Sequence, residues 1–216
     1  MSTVVYRDLA RRSKPVKSFE PCLPRKAKAP PSGPIWIHEI KHDGFRILAR
    51  KDGDRIKLIT RNGYDFADRY RLIVDAVASL PVDSCIIDGE AIVVDQSGLS
   101  IFDLLRRVVM LAIATLCAFD LLELDGADVR SRPIEERKQH LAWVLRQTHP
   151  GIAINATYAG DGAVVYEHAR ALGCEGIVSK RLGSPYRAGR TNLWLKMKNP
   201  QAPAVRRERE IDWAKR

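Results

Sequence analysis

Charged residues interrupt four otherwise apolar stretches of this chain. In "HEIKHDGFR", Lys41 stands between Glu39 and Asp43, and Gly44 and Arg46 follow. Glu90 interrupts "IIDGEAIVVD", Glu175 opens "EGIVSKR", and Lys196 and Lys198 alternate with apolar residues in "WLKMK". An unpaired ion cannot be buried at tolerable cost, so each charge faces solvent or meets a partner. For any one of them alone, solvent is the ordinary explanation. Their joint pattern carries a chemical reading. Residues two apart on a strand project from one face, so Lys196 and Lys198 point the same way. Their ammonium groups repel unless an anion lies between them, and a phosphate supplies that anion. Glu90 and Glu175 offer hard oxygen donors for a divalent cation that a phosphate-bearing ligand brings with it.

Lys41 differs from the other two lysines. It ends a β-rich run just before Gly44, which permits a tight turn and close backbone approach. A lysine amine is nucleophilic when desolvation or neighbouring cations favour its neutral form, and Lys196 and Lys198 can supply such a field. Attack of that amine on phosphorus gives a phosphoramidate, a covalent lysine–nucleotide species. The residues therefore read as a phosphate-handling basic cleft with one special lysine. They leave the nucleotide open.

Several elements are needed to hold these residues. "IWIHEI" alternates as a half-buried strand does. "FRILARKDGDRIKLITRNG" holds two β-rich runs around Asp52-Gly53, a hairpin signal. "YDFADRYRLIVDAVASL" has helical spacing and ends before Pro81. "SCIIDGEAIVVD" reads as two short apolar runs around Asp88-Gly89-Glu90. "SIFDLLRRVVML" reads as a helix capped by Ser100, and "TLCAFDLLELDG" as a strand closed by Asp125-Gly126. "PIEERKQHLAWVLRQT" is the clearest helix, with Pro133 near its first position and Leu141, Val144 and Leu145 on one face. "AVVYEHARALG" is a second helix ending at Gly173. "EGIVSKR" and "NLWLKMKN" are short strands. Residues 1–34 are basic and proline-rich and are expected to lack regular structure. Residues 35–200 form the folded domain, and residues 201–216 a charged tail. Antiparallel strands with interspersed helices make the fold class α+β rather than alternating βαβ.

The composition narrows the partner. Of 216 residues, 36 are Lys or Arg and 26 Asp or Glu, a net charge of +10. That excess favours a polyanion, nucleic acid before membrane. Cys22, Cys85, Cys117 and Cys174 form no CxxC pair, so buried thiols are expected rather than a zinc site or disulfide framework. No secretory signal is evident, and "VVMLAIATLCAF" (residues 108–119) is shorter than the roughly 20 residues that span a bilayer. A cytoplasmic protein is the default expectation.

From about Phe19 to Asn199 the chain resembles the covalent nucleotidyltransferases. "EIKHDGFR" is similar to their nucleotidyl-lysine motif, and "IIDGEAIVVD", "CAFDLLELDG", "EGIVSKR" and "WLKMK" resemble the later motifs in the same order. One such motif is weak evidence; five in order are strong. The nearest resemblance is to bacterial ATP-dependent DNA ligases of the end-joining type. It implies an ATP-grasp-like nucleotidyltransferase domain of antiparallel sheets flanked by helices. It implies that Lys41 attacks the α-phosphate of ATP and carries AMP. Glu39, with Ile40 beside it, then lies at the adenine, Arg46 and Arg61 at the sugar or the nick phosphate, and Phe119 stacks on the base. Glu90 binds the ribose or helps place a metal, Glu175 helps coordinate magnesium or manganese, and Lys196 and Lys198 grip the α-phosphate. The implied substrates are ATP and nicked duplex DNA, in the bacterial cytoplasm near the nucleoid.

Two departures from the family are visible. Eighteen residues follow Lys198, too few for the OB-fold barrel that continues such ligases. Adenylation is accordingly expected to be slow or to depend on an end-joining partner or a separate OB-fold protein. The connection "RRVVMLAIATL" is also more apolar than expected, as a buried helix or a docking patch would be. The AMP-site motifs are equally compatible with sealing RNA ends, and the basic surface with a non-catalytic DNA-end-binding paralogue.

Overall fold

The computed structural model describes residues 20–147 and 149–207. Two β-sheets carry them. The first is ordered β1 (Cys22–Lys26), β11 (Gly189–Lys198), β10 (Gly176–Arg181), β2 (Trp36–Ile40), β9 (Thr157–Ala159). The second is ordered β4 (Arg55–Thr60), β3 (Phe45–Asp52), β5 (Ser84–Ile92), β6 (Thr115–Leu124), β7 (Ala127–Asp128), with β8 (Ile152–Ile154) alongside β6. Pairing is antiparallel except for β1 with β11 and β6 with β8. The helices are α1 (Arg71–Ala78), α2 (Phe102–Leu105), α3 (Ile134–Val144) and α4 (Gly162–Ala171), with a 3-10 helix over Val108–Ile113.

The side-chain period of two decides the layers. On β3, Ile47 and Ala49 enter a core with Tyr70, Ile73 and Val77 at α1. Leu48 points the other way, into a second core with Ile86, Phe119, Leu122, Ile37 and Trp194. That second core lies between the sheets. A third, of Ala169, Ile177 and Met197, seats α4 on the far side of the first sheet. The order of layers is α1, second sheet, first sheet, α4.

Several expectations need correction. Residues 20–34 are not without regular structure, because β1 pairs with β11 there. "SCIIDGEAI" is one nine-residue strand, and Asp88-Gly89 lies inside it as part of a bulge rather than a break. The hairpin turn is Gly53-Asp54, one residue on from Asp52-Gly53, since Asp52 pairs with Arg55 and Gly53 takes φ +57°. "SIFDLLRRVVML" is a single helical turn followed by the 3-10 segment. Ser100 caps neither; its hydroxyl accepts from the Asp43 amide at 3.0 Å. Val109 and Ile113 of that apolar run are exposed. Helix α3 starts at Ile134 with Pro133 as its N-cap, and Gly173 takes the left-handed conformation after α4, φ +80°.

Residues 203–207 are helical. The N-terminal residues 1–19 and the tail from 208 onward lie outside the described residues. Cys22, Cys85 and Cys117 are buried and Cys174 partly so, and all are free thiols. Burial pushes Cys22 up to about 11 and Cys85 and Cys117 up to about 12, which leaves them unreactive. No helix among the described residues is long and apolar enough to cross a membrane.

Candidate active site

Strand register assembles the site. In the first sheet Ile40 pairs with Ile177, and Gly176 pairs with Lys198. The Lys41 amide donates to the Gly176 carbonyl at 2.9 Å, one step beyond the last pair. Lys41, Glu175 and Lys198 are therefore brought to one end of three adjacent strands. The next row inward on the same face is Glu39, Val178 and Lys196; the next is Ile37, Lys180 and Trp194. On the second sheet Arg46 pairs with Glu90, and Glu90 with Cys117. The two inner faces enclose a cleft of about 200 Å³ lined by Glu39, Lys41, Arg46, Glu90, Phe119 and Lys196 among others.

At the mouth of the cleft the Lys41 ammonium donates to Glu175 Oε2 at 2.5 Å, and Lys198 Nζ lies 3.2 Å from Glu175 Oε1. The carboxylate thus has one lysine on each oxygen. Gly176 permits the approach: its φ is +145°, and a Cβ there would stand 1.9 Å from the Met197 carbonyl oxygen. Gly44 serves the facing sheet in the same way, since a Cβ there would meet the Ala91 carbonyl oxygen at 2.2 Å.

Deeper in, Glu39 is 1 % exposed. Burial would raise its pKa, but Lys180 at 2.8 Å and Lys138 at 2.5 Å outweigh it and hold the carboxyl below its ordinary value. Burial in turn lowers the Lys180 pKa against the pull of Glu39. Phe119 is buried, its ring centroid 4.5 Å from both the Arg46 guanidinium and the Lys180 ammonium. Arg46 grips Asp88 with two hydrogen bonds of 2.5 and 2.6 Å, and Tyr186 donates to the same carboxylate at 2.6 Å. Glu90 behaves differently. Burial pushes its carboxyl up to about 7, against the opposing pull of Lys41 and Arg46.

All the residues singled out in the sequence converge here, in different manners. Glu39, Lys41, Arg46, Arg61, Glu90, Phe119 and Lys196 line the cleft, Arg61 from its exposed rim. Glu175 joins through its contact with Lys41, and Lys198 through Glu175. Ile40 contributes to the wall, yet its side chain packs with the third core beside Ala169, Ile177 and Met197. Its carbonyl accepts from Asn155 Nδ2 at 3.0 Å. Among the described residues no group of three or more acidic, histidine or cysteine side chains is arranged for a metal. Glu90 and Glu175 offer carboxylate oxygens of the kind a magnesium-like ion takes, one or two of them with substrate phosphate and water completing its shell, although both Glu175 oxygens meet lysines here. The raised Glu90 pKa marks a carboxyl that a cation would ionise.

Comparison with known proteins adds a family. The ATP dependent DNA ligase domain family matches residues 13–198. The chain belongs to that family of ligase domains. It is 34 % identical over 183 residues to the multifunctional non-homologous end joining protein LigD of Pseudomonas aeruginosa, covering 82 % of this chain and 22 % of LigD. It is 30 % identical over 184 residues to the SPbeta prophage-derived DNA ligase-like protein LigB of Bacillus subtilis, covering 83 % of this chain and 67 % of LigB. A solved mycobacterial DNA ligase D complexed with ATP and MES superposes with a TM-score of 0.71 at 27 % identity, covering 83 % of this chain and 60 % of that one. This ligase domain thus spans about a fifth of the LigD relative.

Sequence reading of the ligase domain missed the residues that brace the site. Lys180, Lys138, Asp88 and Asn155 each touch a singled-out residue, and Tyr186 touches Asp88 behind Arg46. A signal was present for two of them. Asp88 and Lys180 also interrupt apolar strands, and each was due the same question as Glu90. Lys138 and Tyr186 reach the site from a helix and a loop, where no strand period points to them.

Proposed function

We propose that this ligase domain transfers AMP from ATP through Lys41 to the 5′-phosphate of nicked duplex DNA and then seals the nick. It does so on an ATP-grasp-like scaffold, in DNA repair. The observation that carries the reading is the Lys41 amine held on Glu175 at the mouth of a cleft lined by Glu39, Phe119 and Lys196. In the first step the Lys41 nitrogen bonds to the α-phosphorus, the bond from that phosphorus to the bridging oxygen breaks, and pyrophosphate leaves. Lys41 must shed one proton to expose its lone pair, for which Glu175 is the adjacent carboxylate acceptor, and a second proton as the N–P bond forms, which leaves with the pyrophosphate or to water. Lys196 and Lys198 place positive charge where the α-phosphate gains negative charge. In the second step a DNA phosphate oxygen attacks the same phosphorus and the N–P bond breaks. In the third the 3′-hydroxyl displaces AMP. Glu90 and Glu175 would hold magnesium or manganese, which would polarise the phosphates.

The adenine site is proposed at Glu39 and Phe119, with Arg46 on the ribose side and Arg61 at the rim toward the DNA. Incubation with α-labelled ATP and magnesium should leave denaturation-resistant, acid-labile label on the protein, and Lys41→Ala should leave none. Absence of label, together with no sealing of pre-adenylated nicks, would overturn the reading in favour of a DNA-binding protein alone. Parallel nicked RNA and DNA duplexes test the substrate; preferential sealing of RNA would replace DNA in the proposal.

A further inference from the structure

The segment after the last lysine pair folds back onto the Lys41 loop. Asn199 reverses the chain: its amide donates to the Glu175 carbonyl at 2.8 Å, and its side-chain nitrogen to the Cys174 carbonyl at 3.1 Å. The helical residues 203–207 follow, with Ala204 and Val205 buried. At their end Arg207 Nη2 donates to Asp43 Oδ2 at 2.8 Å, Nη1 lies 3.4 Å from Asp103, and the guanidinium covers the Phe102 ring at 4.7 Å. Asp43 is two residues from Lys41, and its backbone amide is tied to Ser100 at 3.0 Å.

We infer that Arg207 is a positioning residue: its clamp on Asp43 holds the loop carrying Lys41 in line with the α-phosphate. The inference rests on the lysyl-AMP reading above. Three features support a built clamp rather than a surface contact. Asp43 is only partly exposed, with 17 % of its side chain accessible. Burial raises its pKa and Arg207 opposes that rise. The guanidinium is also fixed from three sides, by two carboxylates and one ring face, which gives it a single geometry. The same segment ties the Glu175 backbone through Asn199 and, two residues from Lys41, Asp43 through Arg207.

The test uses the full chain with Arg207→Ala and Arg207→Lys. Single-turnover lysyl-AMP formation should slow about tenfold at saturating ATP in Arg207→Ala, with the half-saturating ATP concentration changed less than twofold. Arg207→Lys should recover part of the rate, because it keeps the charge and loses the fork. Amide exchange read by NMR should speed up at Lys41, His42 and Asp43 in Arg207→Ala, and not at Ile47 or Ala49. Unchanged exchange at residues 41–43 would overturn the clamp. Faster exchange with an unchanged saturating rate would overturn the positioning role. Wild-type protein that forms no adenylate would instead overturn the reading beneath it, and exchange alone would then decide the clamp.

Discussion

At the scale of single residues, Glu90 is the most informative titrating group. Its carboxyl is raised from 4.5 to about 7 because burial penalises the anion more than Lys41 and Arg46 stabilise it. The unfolded chain therefore loses this proton earlier than the folded one as pH rises. Folding stability falls from about pH 4.5 up to the folded value, and stays lower above it. Glu90→Gln removes that loss. Urea unfolding at pH 8 should find Glu90→Gln more stable than wild type by about 1–3 kcal/mol, allowing for solvent screening at a half-buried site. The difference should vanish near pH 4.5, and an advantage of the same size at both pH values would contradict the assigned shift. Magnesium with nucleotide should narrow the gap at pH 8, since bound cations favour the ionised carboxylate. Glu39, on the facing sheet, shows the opposite arrangement. Two ammonium groups hold it ionised, so one cleft keeps one carboxylate charged and another near neutrality.

At the scale of elements, α3 packs on the second sheet through Ile134, Leu141 and Val144 and carries one buried ion pair to it. Arg137 and Asp120 are both fully buried and share two hydrogen bonds of 2.7 and 2.9 Å, while Arg137 Nη1 donates to the carbonyls of Arg132 and Ser184. The next residue on the helix is Lys138, whose ammonium holds Glu39. Arg137→Ala leaves Asp120 buried without a counter-ion and should cost about 3–5 kcal/mol in unfolding free energy. Arg137→Met with Asp120→Leu should recover most of that stability, whereas adenylation should recover less if the pair also sets Lys138. Equal losses in the single and double variants would deny the pair its role. Gly176→Ala tests the seam between β10 and β11 and should unfold the chain at lower temperature, because no side chain fits beside the Met197 carbonyl. These elements also show what was legible in the sequence. Lys41, Glu175, Lys196 and Lys198 stood out because charge in an apolar stretch demands a partner, and strand register brought Lys41, Glu175 and Lys198 together. Asp120 posed the same demand inside "CAFDLLEL", but its partner lies on a helix, and period-two reasoning along one strand cannot reach it. The break expected at Asp88-Gly89 failed for a related reason: a buried aspartate paired with Arg46 and Tyr186 sits in a strand as readily as an apolar residue does.

At the scale of the molecule, two kinds of electrostatics coexist and should respond differently to salt. The chain carries +10 net charge, and a duplex held through its phosphates releases counterions on binding. Affinity for a nicked duplex should therefore fall at least about tenfold between 50 and 200 mM salt, with little dependence on sequence. The proposed first step would work through short contacts between partly buried groups, the Lys41–Glu175–Lys198 cluster with Glu39 and Lys180 behind it. Screening acts over a Debye length of roughly 8–10 Å at these salt concentrations and reaches buried pairs poorly. Lysyl-AMP formation at saturating ATP should accordingly change less than about threefold over the same range. Fluorescence anisotropy on a labelled nick and single-turnover adenylation on one preparation measure the two. Salt-insensitive DNA binding would mean that contact is made through a small neutral surface rather than the basic excess. Adenylation as salt-sensitive as DNA binding would mean that the cleft is open to solvent throughout, and that the buried ion pairs do not form the surface that ATP meets.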